Sequence, residues 1–298
     1  MKTLIAIIGP TGIGKTDLSI DIAQRLNTEI ISCDSRQVYK ELKIGTAVPS
    51  ETQLQKVKHH FIGNKSISDY YNASMFEVEA LDLLEDLFQK YNNVIMTGGS
   101  GLYINAVCNG IDDLPTIDQE LRKELLQRLK NEGVESLRMQ LKMLDPDYYR
   151  QADTKNPKRI LKALEVSLQT GKPYSSFLTN PKKDRNFRIL KIGLQRDRDE
   201  LYERINLRVD QMIKEGLVEE ARSFYKEKHL NSLNTVGYRE LFDYFDGSIS
   251  LEKAIELIKR NSRHYAKRQI SWFGRDNEIQ WFHPDESEKI IEFILLNQ

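Results

Sequence analysis

The sequence predicts an α/β fold, with a parallel sheet flanked by helices and interrupted by an all-helical insertion. Three observations predict it. The chain begins with a short apolar run that enters a glycine-rich turn and then a helical pattern. Short strand-like runs recur around Ile30 and Val94, the second followed by paired glycines. From about residue 114 to 185 the pattern is helical throughout, and strand composition returns at 188–194. The expected organisation is a discontinuous core, residues 1–113 and 186–298, around a helical domain at 114–185.

The first element carries the strongest motif. Ile5 to Ile8 run into Gly9, Pro10, Thr11, Gly12, Ile13, Gly14, Lys15 and Thr16, which reads G-x-x-x-x-G-K-[ST]. Leu18, Ile22 and Leu26 then follow with helical spacing. Strand, loop and helix together are the context of a phosphate-binding loop. Its backbone N–H groups and helix N-terminus would wrap a phosphate chain. Lys15 would add a cation, and the Thr16 hydroxyl would ligate Mg²⁺. The core is therefore expected to be P-loop NTPase-like. The motif says polyphosphate without saying which one, although by itself it points towards ATP.

The second strand, Glu29 to Ser35, ends in Asp34. Open parallel sheets bind ligands beyond the carboxyl ends of their strands, so Asp34 should share a rim with the phosphate loop. It is a candidate for chemistry, or equally a cap for the following turn. Arg36 to Ser50 is irregular. His59 and His60 are adjacent, which suits packing and hydrogen bonding better than joint metal ligation. Ser74 to Tyr91 reads as an amphipathic helix with Met75, Val78, Leu81 and Leu84 or Leu87 on one face. Val94 to Met96 forms a third strand that runs into Gly98-Gly99-Ser100, where paired glycines allow close backbone approach. Ser100 either caps the next helix or aims its hydroxyl at the site. None of these strands but the second ends in an acid, which disfavours a motor-type ATPase.

The insertion contains Asp118 to Gly133, Val134 to Asp153 and Asn156 to Phe177 as helical stretches. Arg150, Lys155, Lys158, Arg159 and Lys162 crowd one region of it. Arg188 to Leu194 should rejoin the sheet. Charged helices follow, then a long one from Leu251 to Phe273, where Arg260, Arg263, Lys267 and Arg268 alternate with Tyr265, Trp272 and Phe273. Cations interleaved with aromatics suit a nucleic-acid backbone and unstacked bases, or equally a wet face over an apolar core. Ile279 to Phe282 is a last strand and the C-terminus a last helix.

Composition sets bounds. The 298 residues include 44 basic and 44 acidic side chains, so nucleic-acid binding would rest on local patches. Two distant cysteines, Cys33 and Cys108, without a C-x-x-C, argue against a disulfide framework and a Cys-based zinc site. No apolar run approaches the ~18 residues of a membrane span. A cytoplasmic protein without membrane partners is expected, with a monomer as the default.

Several separate segments fall into one pattern. DSRQVYKELKIGTAVP at 34–49, HHFI at 59–62, YNASMF at 71–76, GGSGLY at 98–103, KRILKALEV at 158–166, VGYRE at 236–240 and YAKRQISWF at 265–273 occur in that order. In these the chain resembles the bacterial tRNA dimethylallyltransferases (tRNA isopentenyltransferases) over almost its whole length. The resemblance implies transfer of a dimethylallyl group from dimethylallyl diphosphate to the exocyclic amine of the adenine next to the tRNA anticodon, with Mg²⁺ at the phosphates. It implies Asp34 as catalytic base and Ser100 as a second catalytic hydroxyl. It also implies tRNA contacts at Asp34, Ser35, Arg36, Gln37, Ser100, Arg122, Lys158, Arg159, Ile160, Leu161 and Lys162, with the insertion gripping the anticodon stem-loop. Asn156, Lys162 and Lys43 stand where that family often has Asp, Arg and Asp. The alternatives are prenylation of a free adenine nucleotide, a small-molecule P-loop kinase, and a non-catalytic RNA-binding protein.

Overall fold

In the computed structural model, residues 1–115, 117–179 and 182–297 are described. Thr116, Asn180 and Pro181, which fall within the expected helical domain, lie outside them, as does Gln298. The strands are β1 (Thr3–Ile8), β2 (Ile30–Cys33), β3 (His59–His60), β4 (Asn93–Gly98), β5 (Arg188–Leu194) and β6 (Gln280–Phe282). The helices before β5 are α1 (Lys15–Arg25), α2 (Glu51–Lys56), α3 (Ala73–Lys90), α4 (Gly101–Asn109), α5 (Gln119–Leu144), α6 (Pro146–Gln151) and α7 (Pro157–Thr170). After it come α8 (Arg198–Lys214), α9 (Leu217–Ser223), α10 (Tyr238–Phe245), α11 (Leu251–Phe273) and α12 (Ser287–Leu296). Two compact units result: Met1–Cys108 with Asp184–Gln298, and Asn109–Lys183.

In the first unit the strands form one parallel sheet in the order β3-β2-β4-β1-β5-β6. The chain leaves β1 to one side for β2 and β3, returns to β4, then crosses to the other side for β5 and β6. The phosphate loop thus follows the strand at which the direction of winding reverses, where such sheets open a crevice. The central strands are covered on both faces and read as continuous apolar runs: all six residues of β1 are buried. Ile5, Ile7, Ile95, Ile192 and Leu194 pack there with Ile22 of α1, Ile205 of α8 and Ile290 of α12. Among the described residues no helix is long and apolar enough to cross a membrane.

The boundaries of β5 and α11 agree with the sequence reading to the residue. The expected face of α3 agrees only in part: Leu84 and Leu87 are buried, but its N-terminal half is turned. Met75 and Val78 are 38% and 58% exposed, and the buried stripe is Ala73, Phe76, Glu77, Ala80, Leu84, Leu87 and Phe88. Two interactions rotate the helix onto that stripe. Phe76 packs edge-on to Phe61 and beside Tyr103. Glu77 is buried because Arg185 meets it at 2.8 Å, while the same guanidinium donates to the Ala106 and Val107 carbonyls. A buried carboxylate is tolerated when paired in this way, and periodicity cannot see the partner. The two histidines form the short edge strand β3. His60 meets Glu29 at 2.5 Å and His59 Nδ1 meets the Val57 carbonyl at 2.8 Å.

Gly98 is fixed by its neighbour strand. It lies opposite Cys33 in the β2–β4 register, and a Cβ there would fall 2.0 Å from the Cys33 carbonyl oxygen. Gly98→Ala should therefore force β2 and β4 apart and destabilise the protein by about 3 kcal/mol, as overpacking does. Urea unfolding checks this, and a loss near zero would mean the strand ends give way easily.

In the second unit α5 and α7 pack through Leu125, Leu137, Leu141, Ile160, Ala163 and Leu164. α5 is broken at Gly133, whose φ of 77° lies in the region glycine prefers. Asn156 caps α7, its Oδ1 accepting from the Lys158 N–H at 3.1 Å, with Pro157 at the first helical position. An aspartate here would cap in the same way, so Asn156 costs the helix nothing.

Candidate active site

The loop Gly9 to Thr16 joins β1 to α1. Gly12 and Gly14 take φ of 79° and 109°, which side-chain-bearing residues rarely adopt, and Gly14 is the N-cap of α1. Ile13 anchors the loop with a side chain fully buried in the sheet core, so only its backbone can serve a ligand. Lys15 Nζ donates to the carbonyls of Gly9 and Pro10 at 2.9 and 2.8 Å. Burial and the nearby Arg208 lower the Lys15 pKa to about 7, with Asp34 opposing. The Lys15 amine is thus poised to take up a proton when an anion arrives.

Three residues that sequence reading did not single out hold this loop. Arg204 and Arg208, one turn apart on α8, reach it: Arg204 Nε donates to the Gly12 carbonyl at 3.0 Å and Arg208 Nη1 to Thr11 Oγ1 at 3.2 Å. Gln269 of α11, almost fully buried, accepts from the Thr11 N–H at 2.9 Å and donates to the Gly99 carbonyl at 2.8 Å. An i, i+4 arginine pair was legible in ERINLRVDQ. That α8 covers the phosphate loop was not, because it depends on β5 pairing with β1.

Asp34 follows β2 directly, and among the described residues no other strand is followed at once by an acid. Its Oδ1 accepts from the Arg36 and Gln37 N–H groups at 2.8 and 3.3 Å. Turn-capping and chemistry are thus compatible, since Oδ2 has no hydrogen-bond partner among the described residues. Ser35 N–H donates to Ser100 Oγ at 2.9 Å, and Ser100 Oγ donates to Ser35 Oγ at 3.3 Å. Ser100 is 8% exposed, its hydroxyl ties the β4 end to the β2 end rather than capping α4, and Tyr265 also meets it. Burial and the Asp34 charge push the Tyr265 hydroxyl up to about 12, so it acts as a donor at ordinary pH. Gln37 is spent internally, donating to the Thr46 and Ala47 carbonyls at 3.1 and 3.0 Å.

Phosphate loop, Asp34, Arg208, Tyr265 and Gln269 line one cavity of about 1100 Å³. Its wall includes apolar side chains, Ile44, Val48, Leu207 and Met212 among them. Ser100 does not line it. The Thr16 hydroxyl does, and has no hydrogen-bond partner among the described residues. A single hydroxyl, with phosphate oxygens and waters completing the shell, fits Mg²⁺, which seldom takes an all-protein cage. Among the described residues no group of three or more His, Cys, Asp or Glu side chains forms such a cage.

The remaining sequence-predicted residues lie in the helical unit. Lys158 and Arg159 are exposed at the start of α7. Arg122 pairs with the buried Glu165 at 2.7 Å and stays 42% exposed, while burial holds the Lys162 ammonium below its ordinary range. Ile160 and Leu161, expected among the contact residues, are instead 0% and 7% exposed in the core of this unit. Ile160, two residues on from Lys158, points to the opposite side of α7, and Leu161 beside it packs in the same core.

The IPP transferase family pattern matches residues 37–276. The chain belongs to the IPP transferase family. It is 55% identical over 296 residues to tRNA dimethylallyltransferase 1 of Bacteroides thetaiotaomicron, covering 99% of this chain and 96% of that protein. It is 56% identical over 293 residues to tRNA dimethylallyltransferase 1 of Bacteroides fragilis, covering 98% of this chain and 97% of that one. The tRNA isopentenylpyrophosphate transferase structure from Bacillus halodurans superposes with a TM-score of 0.73 at 36% identity, covering 99% of this chain and 96% of that one. A eukaryotic dimethylallyltransferase acting on tRNA superposes with a TM-score of 0.80 at 27% identity, covering 95% and 74%. These IPP transferases share the P-loop NTPase-like sheet described above.

Proposed function

We propose that this IPP transferase moves a dimethylallyl group from dimethylallyl diphosphate to the exocyclic amine of the adenine beside the anticodon of tRNA. The observation that carries the reading is the single cavity. It sets phosphate-loop cations against the strand-end carboxylate of Asp34, with an apolar wall suited to a short hydrocarbon. The diphosphate lies along the loop N–H groups, Lys15 and Arg208. The adenine amine approaches Asp34. Its lone pair forms the new C–N bond to the first carbon of the chain as the C–O bond to diphosphate breaks. The bonding pair leaves on diphosphate, and an amine proton passes to Asp34 Oδ2. Lys15 and Arg208 stabilise the charge that develops on the leaving oxygens. Thr16 would hold Mg²⁺ with the phosphate oxygens, and the metal would supply further charge neutralisation at the leaving group.

Adenine presents its amine only when unstacked, and an anticodon-loop base costs least to extrude. The exposed Lys158 and Arg159 of the helical unit, with the half-buried Arg122, supply phosphate contacts for the stem-loop. Alanine at both Lys158 and Arg159 should weaken tRNA binding and reduce the slope of log K against log salt by about 0.7 to 0.9 for each phosphate no longer neutralised. Binding titrations between low and moderate salt check this, and an unchanged slope would remove these residues from the interface.

Labelled dimethylallyl diphosphate, offered with either unmodified tRNA or AMP, tests the reaction. Label is expected in tRNA. Label in AMP alone would favour the free-nucleotide enzyme, and ADP production from ATP without prenyl transfer would favour a kinase.

A further inference from the structure

The cavity wall at residues 43–48 is not a strand of the sheet and is not held by one. Three consecutive N–H groups, those of Lys43, Ile44 and Gly45, point at one carboxylate, Glu220 of α9, at 3.0, 2.8 and 2.9 Å. Successive amides converging in this way form an anion-binding nest, and here the anion is a side chain from a distant helix. Tyr238, the first residue of α10 and fully buried, donates to the same carboxylate at 2.6 Å. Its ring fills the space beside Gly45, where a Cβ would lie 2.6 Å from it.

From that anchor the wall runs over the cavity. Ala47 takes φ of 49°, an uncommon conformation for a residue with a side chain, so the loop does not hold its shape on local preference alone. At its far end Gln37 grips the Thr46 and Ala47 carbonyls, and the Gln37 N–H rests on Asp34 Oδ1. Ile44, Ala47 and Val48 face the cavity, whereas Glu220 does not touch it. The wall is therefore clamped at one end by Glu220 and at the other by the turn that carries Asp34.

We infer that Glu220, with Tyr238, is a positioning residue that sets the apolar wall of the prenyl-donor pocket and thereby limits the length of hydrocarbon the enzyme accepts. This rests on the transferase reading above. Releasing the clamp frees three amides and lets the wall move outward at Ile44 and Val48. The wall then no longer packs against the donor, while the reacting groups on the phosphate loop stay in place. The effect falls on donor affinity and on discrimination against a longer chain more than on turnover.

The test compares the unaltered protein with Glu220→Gln and Tyr238→Phe, the second keeping the ring against Gly45 and removing only the hydroxyl. Dimethylallyl diphosphate and its ten-carbon homologue, geranyl diphosphate, serve as donors with unmodified tRNA. For Glu220→Gln the KM for dimethylallyl diphosphate should rise about tenfold with kcat changed less than about threefold, in line with removal of a charged hydrogen bond. The geranyl-to-dimethylallyl ratio of kcat/KM should rise by about the same factor, with Tyr238→Phe between the two proteins. Amide exchange in the ligand-free protein should show weaker protection at Lys43, Ile44 and Gly45 in Glu220→Gln. Unchanged donor selectivity in variants that fold and show this weaker protection would overturn the inference. So would a fall in Tm with KM, kcat and selectivity all unaltered. Failure of the unaltered protein to transfer either chain would overturn the transferase reading itself, and with it this one.

Discussion

Replacement of Asp34 by alanine should lower turnover by about 10²- to 10⁴-fold, the range a positioned general base contributes, while tRNA affinity stays nearly intact. Alanine also removes the cap of the turn, because Oδ1 accepts from the Arg36 and Gln37 N–H groups. Asp34→Asn separates the two roles. Its amide oxygen still accepts from both N–H groups, so the turn persists, but it takes no proton from the adenine amine. Single-turnover transfer with labelled donor should be almost as slow in Asp34→Asn as in Asp34→Ala. An active Asp34→Asn would reduce Asp34 to a turn cap.

The second large effect is expected at Arg208. Its guanidinium bonds Thr11 of the phosphate loop and depresses the Lys15 pKa, so the two groups lie side by side and would face one diphosphate in the proposed reaction. Arg208→Ala should lower kcat by about 10²- to 10³-fold, as removal of one donor to a developing charge does. It should also change proton linkage in a definite direction. In the free protein Lys15, with its pKa lowered to about 7, is mostly neutral at pH 8. Binding of inorganic diphosphate favours the charged ammonium, so a proton is taken up and affinity falls as pH rises through this range. Without Arg208 the resting pKa of Lys15 lies higher, and less proton is taken up. Calorimetry at pH 8 in buffers of different ionisation enthalpy reads this number. Equal uptake in the two proteins would show that Arg208 does not share the anion site with Lys15.

Legibility in the sequence follows how local each feature is. The phosphate loop needs thirteen consecutive residues, Leu4 to Thr16, and all its determinants lie within them. Asp34 is legible because a strand of four residues ends one position earlier. Gln269 and Arg208 are not, since each meets the loop from a helix about 200 residues away or more. The buried face of α3 is hidden for the same reason: Arg185, which buries Glu77, lies 108 residues further on. Ile160 and Leu161 show the converse limit, as a contact segment read as a run mixes the wet and dry faces of one helix.

The sequence by itself pointed to a phosphate-bearing ligand and to the kind of fold. A G-x-x-x-x-G-K-[ST] turn between an apolar strand and a helix is the pattern of a phosphate-binding loop, and β-branched runs separated by amphipathic stretches suit a covered parallel sheet. Tertiary structure decided what surrounds the phosphate loop. Strand order brings α8 and α11 onto the loop, carries Asp34 to its rim, and lets Glu220 and Tyr238 fix a wall they are far from in sequence. Those contacts depend on pairings between distant segments, and side-chain periodicity records only that a face is buried, not what buries it.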